Sequence, residues 1–281
     1  MHVHTKEGSF DSKVPAAEYV RQYMKLGYDG YMIADHNSWR GCKAWDKVCD
    51  DPEFEGFTVI RGIEYDTKDC GHVLVILPEG VYPTVLRIRG MKCRRLIAMV
   101  HALGGVLGPA HPFGIDASSM MGFKKMQFRW LKYMDFVEVF NTCEQSISNQ
   151  LAGDLAKKYE LPGIGGTDCH VADYIGMAWT EIDYPIHCNS DMIKAIKSHA
   201  AVSAGGEERE ETLKGKAKEH WTGQTAYRIY NRGLGKLMSP RRGLHHYRLS
   251  KRTRFKLRRG RRLLPKKNRI TSKKDNERID S

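Results

Sequence analysis

The sequence predicts an α/β fold: a single TIM-like β/α barrel over residues 1–205, with a basic C-terminal extension. Apolar strand-like runs alternate with amphipathic helical segments, a pattern that favours parallel strands joined by crossover helices. Histidines and carboxylates recur where the strand-like runs end, and the active sites of such barrels lie at the carboxyl ends of their strands. A change in charge near residue 205 separates the barrel from the extension.

Local patterns predict the secondary structure in chain order. A first strand is predicted at His2–Thr5, and apolar runs predict further strands at 31–34, 57–60, 72–77, 105–110, 136–140 and 163–166. Asp11 or Ser12 is expected to cap a first helix that ends at Gly27. Later helices are predicted at 94–103, 146–159 and 191–199, the last with Ser190 as its cap.

Charge divides the chain into unlike parts. Residues 1–205 hold 22 Lys and Arg against 25 Asp and Glu, whereas residues 206–281 hold 24 against 8, which accounts for the net charge of +13. We expect a helical extension at 206–238 and a basic, disordered tail at 239–281, because the tail has too few apolar residues to fold alone. Such a tail would attract nucleic acid through counterion release. A solubilising tail, or one that lies on an anionic membrane, is the alternative.

The cysteines and the hydropathy of the sequence predict where in the cell the protein is located. The seven cysteines are odd in number, and none is spaced as C-x-x-C. No apolar segment leads the chain, and none approaches the ~20 residues of a membrane span. We therefore expect reduced thiols in a cytoplasmic protein that has no membrane span.

The amino-terminal His2-Val3-His4-Thr5 predicts metal binding. Side chains alternate along a strand, so two histidines two residues apart face the same side. Paired imidazoles suit a divalent ion such as zinc, manganese or iron. His-x-His alone is a weak signal, but further metal-capable residues lie at or near the ends of later strand-like runs: Asp35-His36, Glu64, His72, His111 and Asp168-x-His170.

In chain order these motifs resemble those of the PHP (polymerase and histidinol phosphatase) metallophosphoesterases. The family pattern is H-x-H-T, a carboxylate or histidine, then D-H, G-x-E, G-H, H-P and D-x-H. The matching segments are His2-Val3-His4-Thr5, Asp11, Asp35-His36, Gly62-Ile63-Glu64, Gly71-His72, His111-Pro112 and Asp168-Cys169-His170. The family has several apolar residues before H-x-H, whereas only Met1 precedes it here. We therefore expect a truncated or misassigned start, which would weaken the first metal site.

The resemblance implies a distorted, seven-stranded β/α barrel that holds two to three divalent metal ions, of manganese, zinc or iron. It implies three ligand sets: His2, His4, Glu64 and Asp168 for the first ion; Glu64, His72 and His111 for the second; Asp11, His36 and His170 for the third. Glu64 would bridge two ions, and Glu64 and Asp168 are expected to matter most to catalysis. Glu7 is the alternative to Asp11, which lies further from His4 than is usual.

The resemblance also implies a metal-dependent phosphoesterase. Phosphate esters are anionic and repel hydroxide, so bridging metals are needed to neutralise the phosphoryl oxygens and to supply hydroxide at neutral pH. We expect hydrolysis of nucleotide or oligonucleotide phosphoesters, by a 5′-to-3′ exonuclease or a nucleotide phosphatase. Two alternatives remain open: a small-molecule phosphatase of the histidinol-phosphatase type, and a non-catalytic nucleic-acid-binding protein.

Several polar residues near the motifs match no ligand position. Asp35 is expected to face away from the site and could orient a ligand through a hydrogen bond. Asn141 ends a strand and could touch substrate or merely start a turn. His101 falls among apolar residues of a helix and is expected to be structural, and Lys6 and Arg40 are expected to be solvated.

Overall fold

The computed structural model describes residues 1–114, 119–120 and 128–209. The predicted tail at 239–281, and the predicted helical extension from residue 210 onward, lie outside the described residues. The helices are α1 (Ala16–Lys25), α2 (Arg40–Trp45), α3 (Cys93–Ala102), α4 (Ser146–Tyr159) and α5 (Asn189–Lys197). Short 3₁₀ helices lie at Pro52–Phe54, Thr84–Arg87, Phe128–Tyr133 and Ala172–Tyr174. Within the described part of the chain, every helix is too short or too polar to traverse a lipid bilayer.

In the described part of the chain, eight strands form three sheets. The strands are β1 (Gly30–Ile33), β2 (Thr58–Asp66), β3 (His72–Ile76), β4 (Val106–Pro109), β5 (Val137–Asn141), β6 (Gly163–Gly166), β7 (Ala178–Ile182) and β8 (Ala201–Gly206). One sheet has the order β1-β2-β3-β4, and β5-β6 and β7-β8 form two smaller sheets. The α/β class is therefore confirmed, and among the described residues no sheet closes into a barrel.

Strand β3 departs from the expected parallel arrangement. The pairs β1–β2 and β5–β6 are parallel as predicted, but β3 is antiparallel to both β2 and β4. The prediction of parallel strands is wrong here because only the short polar turn at 67–71 joins β2 to β3. A parallel crossover needs a dozen or more residues.

The predicted first strand is reduced to one bridging residue, Val3. It forms parallel bridges with Ile33 at the end of β1 and with Cys169 just after β6. Its neighbour His2 has a φ of +59°, which no regular strand residue adopts. The amino terminus thus lies between β1 and β6 and connects two of the sheets.

Alternate residues of the strands face two apolar clusters, as the period of two requires. The larger cluster contains Tyr31 and Ile33 of β1 and packs under α1 and α3. The smaller cluster draws on six strand regions and α5: Met32, Ala34, Ile60, Leu74, Ile76, Val106, Ala110, Phe136, Ile164, Met192, Ile193 and Ile196. Strands from different sheets therefore share one buried interior, and α5 covers one side of it.

Two predicted helix caps are wrong. Helix α1 begins at Ala16, and neither Asp11 nor Ser12 caps it; instead the Ala16 N–H donates to Glu7 Oε2 at 3.2 Å. Helix α5 begins at Asn189, so Ser190 lies inside its first turn, where its hydroxyl donates to Glu79. In both cases a carboxylate brought in from another part of the chain bonds the helix start.

Candidate metal centre

The predicted ligands come together because of where the strands end. His36 lies three residues after β1, Glu64 near the end of β2, and His111 two residues after β4. His72 is the first residue of β3, yet the antiparallel direction of β3 brings its start beside the end of β2, where His72 pairs with Asp66. One edge of the fold therefore collects the side chains of both parallel and antiparallel strands.

Glu64 lies at the centre of this cluster and is 1% exposed. Three nitrogens lie near its Oε1: His72 Nδ1 at 2.7 Å, His111 Nε2 at 3.1 Å and His2 Nε2 at 3.5 Å. Two lie near its Oε2: His36 Nδ1 at 2.7 Å and His4 Nε2 at 3.5 Å. The two oxygens of one buried carboxylate thus face separate sets of imidazoles.

Asp168 approaches the same cluster from the other side. Its Oδ1 lies 3.0 Å from His4 Nε2, 3.5 Å from His2 Nε2 and 3.8 Å from His170 Nδ1. Asp168 has a φ of +49°, and His111 in the same cluster has a φ of +28°. Non-glycine residues rarely adopt positive φ, and such strain tends to gather at functional sites.

The third predicted ligand set forms the exposed rim of the cluster. Asp11 Oδ2 lies 3.7 Å from His36 Nε2 and 3.6 Å from His170 Nε2. Glu7, the alternative to Asp11, instead bonds the start of α1. The side chains of Asp11, His36 and His170 are 35%, 24% and 26% exposed, whereas His2 and His4 are fully buried.

The donor set fits divalent cations. Among the residues that the structure describes, three groups have ligand atoms within 4.8 Å of one another: His4, His36 and His170; His2, His4 and Glu64; and His36, Glu64 and His72. The Nε2 atoms of His2 and His4 lie 3.2 Å apart, close to the ~3.4 Å expected for two nitrogens on one tetrahedral ion. Glu64 Oε2 is buried and accepts no hydrogen bond of regular geometry among the described residues, although His36 Nδ1 lies 2.7 Å from it. This oxygen lies beside the imidazole nitrogens, where a cation would satisfy it.

The pKa shifts of His2, Glu64 and Asp168 show that the cluster favours positive charge. Burial disfavours a charged imidazole, yet Glu138 and Asp168 raise the pKa of His2 well above its usual value. Burial opposes ionisation of Glu64, but imidazoles led by His72 hold its pKa well below its usual range. Burial also opposes ionisation of Asp168, whose pKa His2 holds well below its usual range. Both carboxylates are therefore in the ionised form that binds metal.

His4 is held in the neutral form that a metal requires. Burial, together with His36 and His170, lowers its pKa to about 3. Its Nδ1 donates to Ser9 Oγ at 3.2 Å, which leaves Nε2 as an acceptor facing the cluster. The hydroxyl of Ser9 donates its hydrogen to Asp35, so its oxygen can only accept from His4. We therefore assign the His4 tautomer that carries its proton on Nδ1.

Asp35 orients the site indirectly, as the sequence allowed. It points away from the histidines and accepts hydrogen bonds from Thr5 N at 2.7 Å, from Ser9 Oγ at 3.1 Å and from Gly41 N at 3.2 Å. Burial raises its pKa to about 6. A Cβ at Gly41 would lie 2.2 Å from Asp35 Oδ2, so only glycine fits there. Asp35 thereby fixes Ser9, which in turn bonds the ring of His4.

Glu138 is a buried residue of the site that sequence reasoning missed. It lies in β5, and it bonds His2 Nδ1 and the backbone N–H of His111. Asn141, whose role was open, donates to Glu138 Oε2 at 3.2 Å and is 1% exposed, so it supports Glu138. The available signal was a charged residue in the middle of the apolar run Phe136–Phe140, since unpaired glutamates are almost never fully buried.

Arg209 is a second residue that the sequence did not indicate. Its guanidinium donates to the carbonyls of Thr167 at 2.6 Å and Asp168 at 3.0 Å, and lies 3.8 Å from the centre of the Tyr174 ring. It holds the loop in which Asp168 has positive φ. In contrast, His101 bonds Asp135 outside the cluster, as expected of a structural residue.

The fold and the cluster define a class: an α/β protein with a buried cluster of histidines and carboxylates at its strand ends. Residues 146–201 match the family model described as PHP-associated. A search of curated protein sequences finds no significant match. Together with the ordered motifs, the match over residues 146–201 supports a relationship to the PHP domain family.

Solved structures with the same fold are distant in sequence. A two-domain protein from Bacteroides vulgatus, containing a predicted PHP-like metal-dependent phosphoesterase, is 17% identical with a TM-score of 0.52, covering 76% of this chain and 66% of that one. PsfC from Pseudomonas syringae is 16% identical with a TM-score of 0.54, covering 81% and 97%. The lesion-specific endonuclease Q from Pyrococcus furiosus is 19% identical with a TM-score of 0.51, covering 70% and 55%. At these identities the likeness shows a shared fold, and this chain spans just over half of the endonuclease.

Proposed function

We propose that the chain is a metal-dependent phosphoesterase that hydrolyses nucleotide or oligonucleotide phosphoesters. The observation that carries this proposal is Glu64, whose two oxygens face separate sets of imidazoles. A carboxylate in that position can bridge two cations ~3.5–4 Å apart, the spacing that clamps the attacking and leaving oxygens of a phosphoryl group.

The proposed ligands are those named by the family motifs. His2, His4, Glu64 and Asp168 would hold the first ion; Glu64, His72 and His111 the second; Asp11, His36 and His170 the third. We propose two to three ions of manganese, zinc or iron, because a mixed set of nitrogen and oxygen ligands suits these metals. When bound, they supply charge to neutralise the phosphoryl oxygens and lower the pKa of an attacking water.

In this proposal, residues of the cluster bind the metal ions and leave one side open to the phosphoester. The fully buried His2 and His4 form the floor of the site, which keeps water from one side of it. The partly exposed Asp11, His36 and His170 form the side from which a phosphoester can enter. Asp35, acting through Ser9, keeps the His4 ring from turning.

Support for a nucleic-acid or nucleotide substrate is indirect. The structural neighbour endonuclease Q has been solved with a duplex that carries an abasic lesion at its active site. The net charge of residues 239–281, which hold 17 basic and 3 acidic residues, suits an anionic polymer. The odd number of cysteines, seven, favours the expected cytoplasmic location.

We infer as well that the sheets belong to one distorted, seven-stranded barrel. The amino terminus at Val3 would be its first strand and β1 to β6 the other six. The two bridges of Val3 support this arrangement, and so does the interior that the strands share.

The proposal is tested by assaying metal-loaded protein on a panel of phosphoesters. The panel contains a generic phosphomonoester, a generic phosphodiester, sugar and amino-alcohol phosphates, nucleoside monophosphates and labelled oligonucleotides. We expect two to three ions per chain by elemental analysis, and hydrolysis that chelation abolishes and manganese, zinc or iron restores. Turnover of sugar or amino-alcohol phosphates alone would favour the small-molecule phosphatase. Bound metal with no hydrolysis of any ester would favour a non-catalytic binding protein.

We propose that residues 1–205 carry the chemistry and residues 239–281 contact the substrate. Deleting residues 239–281 should leave hydrolysis of a small ester almost unchanged, since no proposed ligand lies beyond His170. Oligonucleotide binding should weaken, and its log–log salt slope should fall by roughly 0.7 for each phosphate that the tail no longer neutralises. The measurements are steady-state kinetics and oligonucleotide binding at several salt concentrations. An unchanged slope would show that the tail does not touch nucleic acid.

A further inference from the structure

Glu138 connects two of the proposed ligand sets through one side chain. Its Oε1 accepts from His2 Nδ1 at 2.8 Å, and its Oε2 accepts from the backbone N–H of His111 at 2.6 Å. Its Oε2 also accepts from Asn141 Nδ2 at 3.2 Å, and Glu138 as a whole is 1% exposed. Both oxygens of this buried carboxylate therefore act as acceptors only.

A glycine in the neighbouring strand β6, Gly166, leaves room for the side chain of Glu138. Gly166 of β6 pairs with Asn141 of β5, opposite the end of the strand that carries Glu138. A Cβ at Gly166 would lie 2.1 Å from Glu138 Oε1 and 2.6 Å from His2 Cβ. Any side chain at Gly166 would therefore displace either the carboxylate or the imidazole that it bonds.

The hydrogen bond to His2 determines which nitrogen of that ring is free. When the ring is neutral, as metal binding requires, a carboxylate that accepts from Nδ1–H leaves Nε2 as an acceptor, and Nε2 is the atom that faces His4 and Glu64. Carboxylates that bond a histidine in this way fix its tautomer and orientation for metal binding. The bond to His111 acts differently, because it holds the backbone of a residue whose φ is +28°.

We propose that Glu138 is a positioning residue that sets the affinity of the first and second metal sites together. It holds the ring of His2 for the first site and the backbone of His111 for the second. None of its hydrogen bonds described above involves Asp11, His36 or His170, so the third site should not depend on it. This inference rests on the proposed ligand sets but not on the reaction that they catalyse.

Glu138→Gln tests the proposal because it keeps the size of the side chain and removes one acceptor. The amide can present oxygen to His2 or to His111 but not to both. If the NH₂ group faces His2, the ring proton of His2 must move to Nε2, where it would block the first metal site. If the NH₂ group faces His111, it opposes the backbone N–H of His111, and neither donor has an acceptor. The matched control is Glu181→Gln, an exposed strand glutamate that accepts a hydrogen bond from Ser203 and belongs to none of the proposed ligand sets.

The readout is metal binding by the full-length protein, measured by competition with a chelator and by elemental analysis. We expect Glu138→Gln to bind two of its ions about 10- to 100-fold more weakly while the third ion is retained. The rise in melting temperature on adding metal should shrink, whereas a purely structural residue would lower the melting temperatures with and without metal equally. Unchanged metal affinity, or equal loss at all three sites, would overturn the proposal.

A second variant keeps the test valid if Glu138→Gln does not fold. Asn141→Ala leaves the carboxylate in place and removes one of its three donors. We expect it to weaken the same two ions by a few fold, and no change would overturn the proposal. Activity enters neither measurement: wild-type protein that binds metal but hydrolyses nothing would refute the proposed function alone.

Discussion

Replacing Glu64 with glutamine should lower phosphoester hydrolysis by about a thousand-fold or more. The amide removes the negative charge that faces imidazoles on both sides, and it replaces one acceptor oxygen with an NH₂ group. A bridging carboxylate sets the spacing of two cations, which contribute several kcal/mol of transition-state stabilisation; each ~1.36 kcal/mol is tenfold in rate.

The measurement is kcat/KM on the best ester of the panel, with metal content determined on the same sample. Glu55→Gln is the matched control, since the Glu55 side chain is exposed and belongs to none of the proposed ligand sets. His101→Ala controls for the loss of an imidazole, because His101 bonds Asp135 instead of the cluster. Equal activity in Glu64→Gln and His101→Ala would refute the bridging assignment.

Replacing Asp35 with asparagine should produce the largest loss of stability, about 3 kcal/mol in the free energy of unfolding. The carboxylate accepts from Thr5 N, Thr5 Oγ1, Ser9 Oγ and Gly41 N, and it is fully buried. An asparagine presents only one acceptor oxygen, so its NH₂ would face a donor. A buried hydrogen-bonding group left unsatisfied costs about 1–3 kcal/mol, and more when the bond was to a charge.

Chemical denaturation with an unchanged m-value would measure this loss. The control is Asp29→Asn, because the Asp29 side chain is exposed. We also expect weaker metal binding at the site of His4, since Ser9 would lose the acceptor that orients it. Stability equal to that of Asp29→Asn would show that the hydrogen bonds of Asp35 do not contribute as the structure indicates.

The sequence by itself determined the α/β class and the set of residues that meet. His36, Glu64 and His111 could be predicted because each lies near the end of an apolar run, and the ends of adjacent parallel strands share one edge of a sheet. Whether these residues bind metal stays a prediction. The sequence could also separate the basic tail, since composition alone reports charge.

Only the tertiary structure decided how the residues are held. Because β3 is antiparallel to β2, His72 at the start of β3 lies beside the end of β2. Glu7 accepts a hydrogen bond from the start of α1, whereas Asp11 lies at the exposed rim of the cluster. Glu138 bonds His2 across 136 residues of chain, and that contact depends on which strands are neighbours. Local patterns specify a residue's own strand and face, whereas a buried hydrogen bond between distant segments exists only once the sheets have packed.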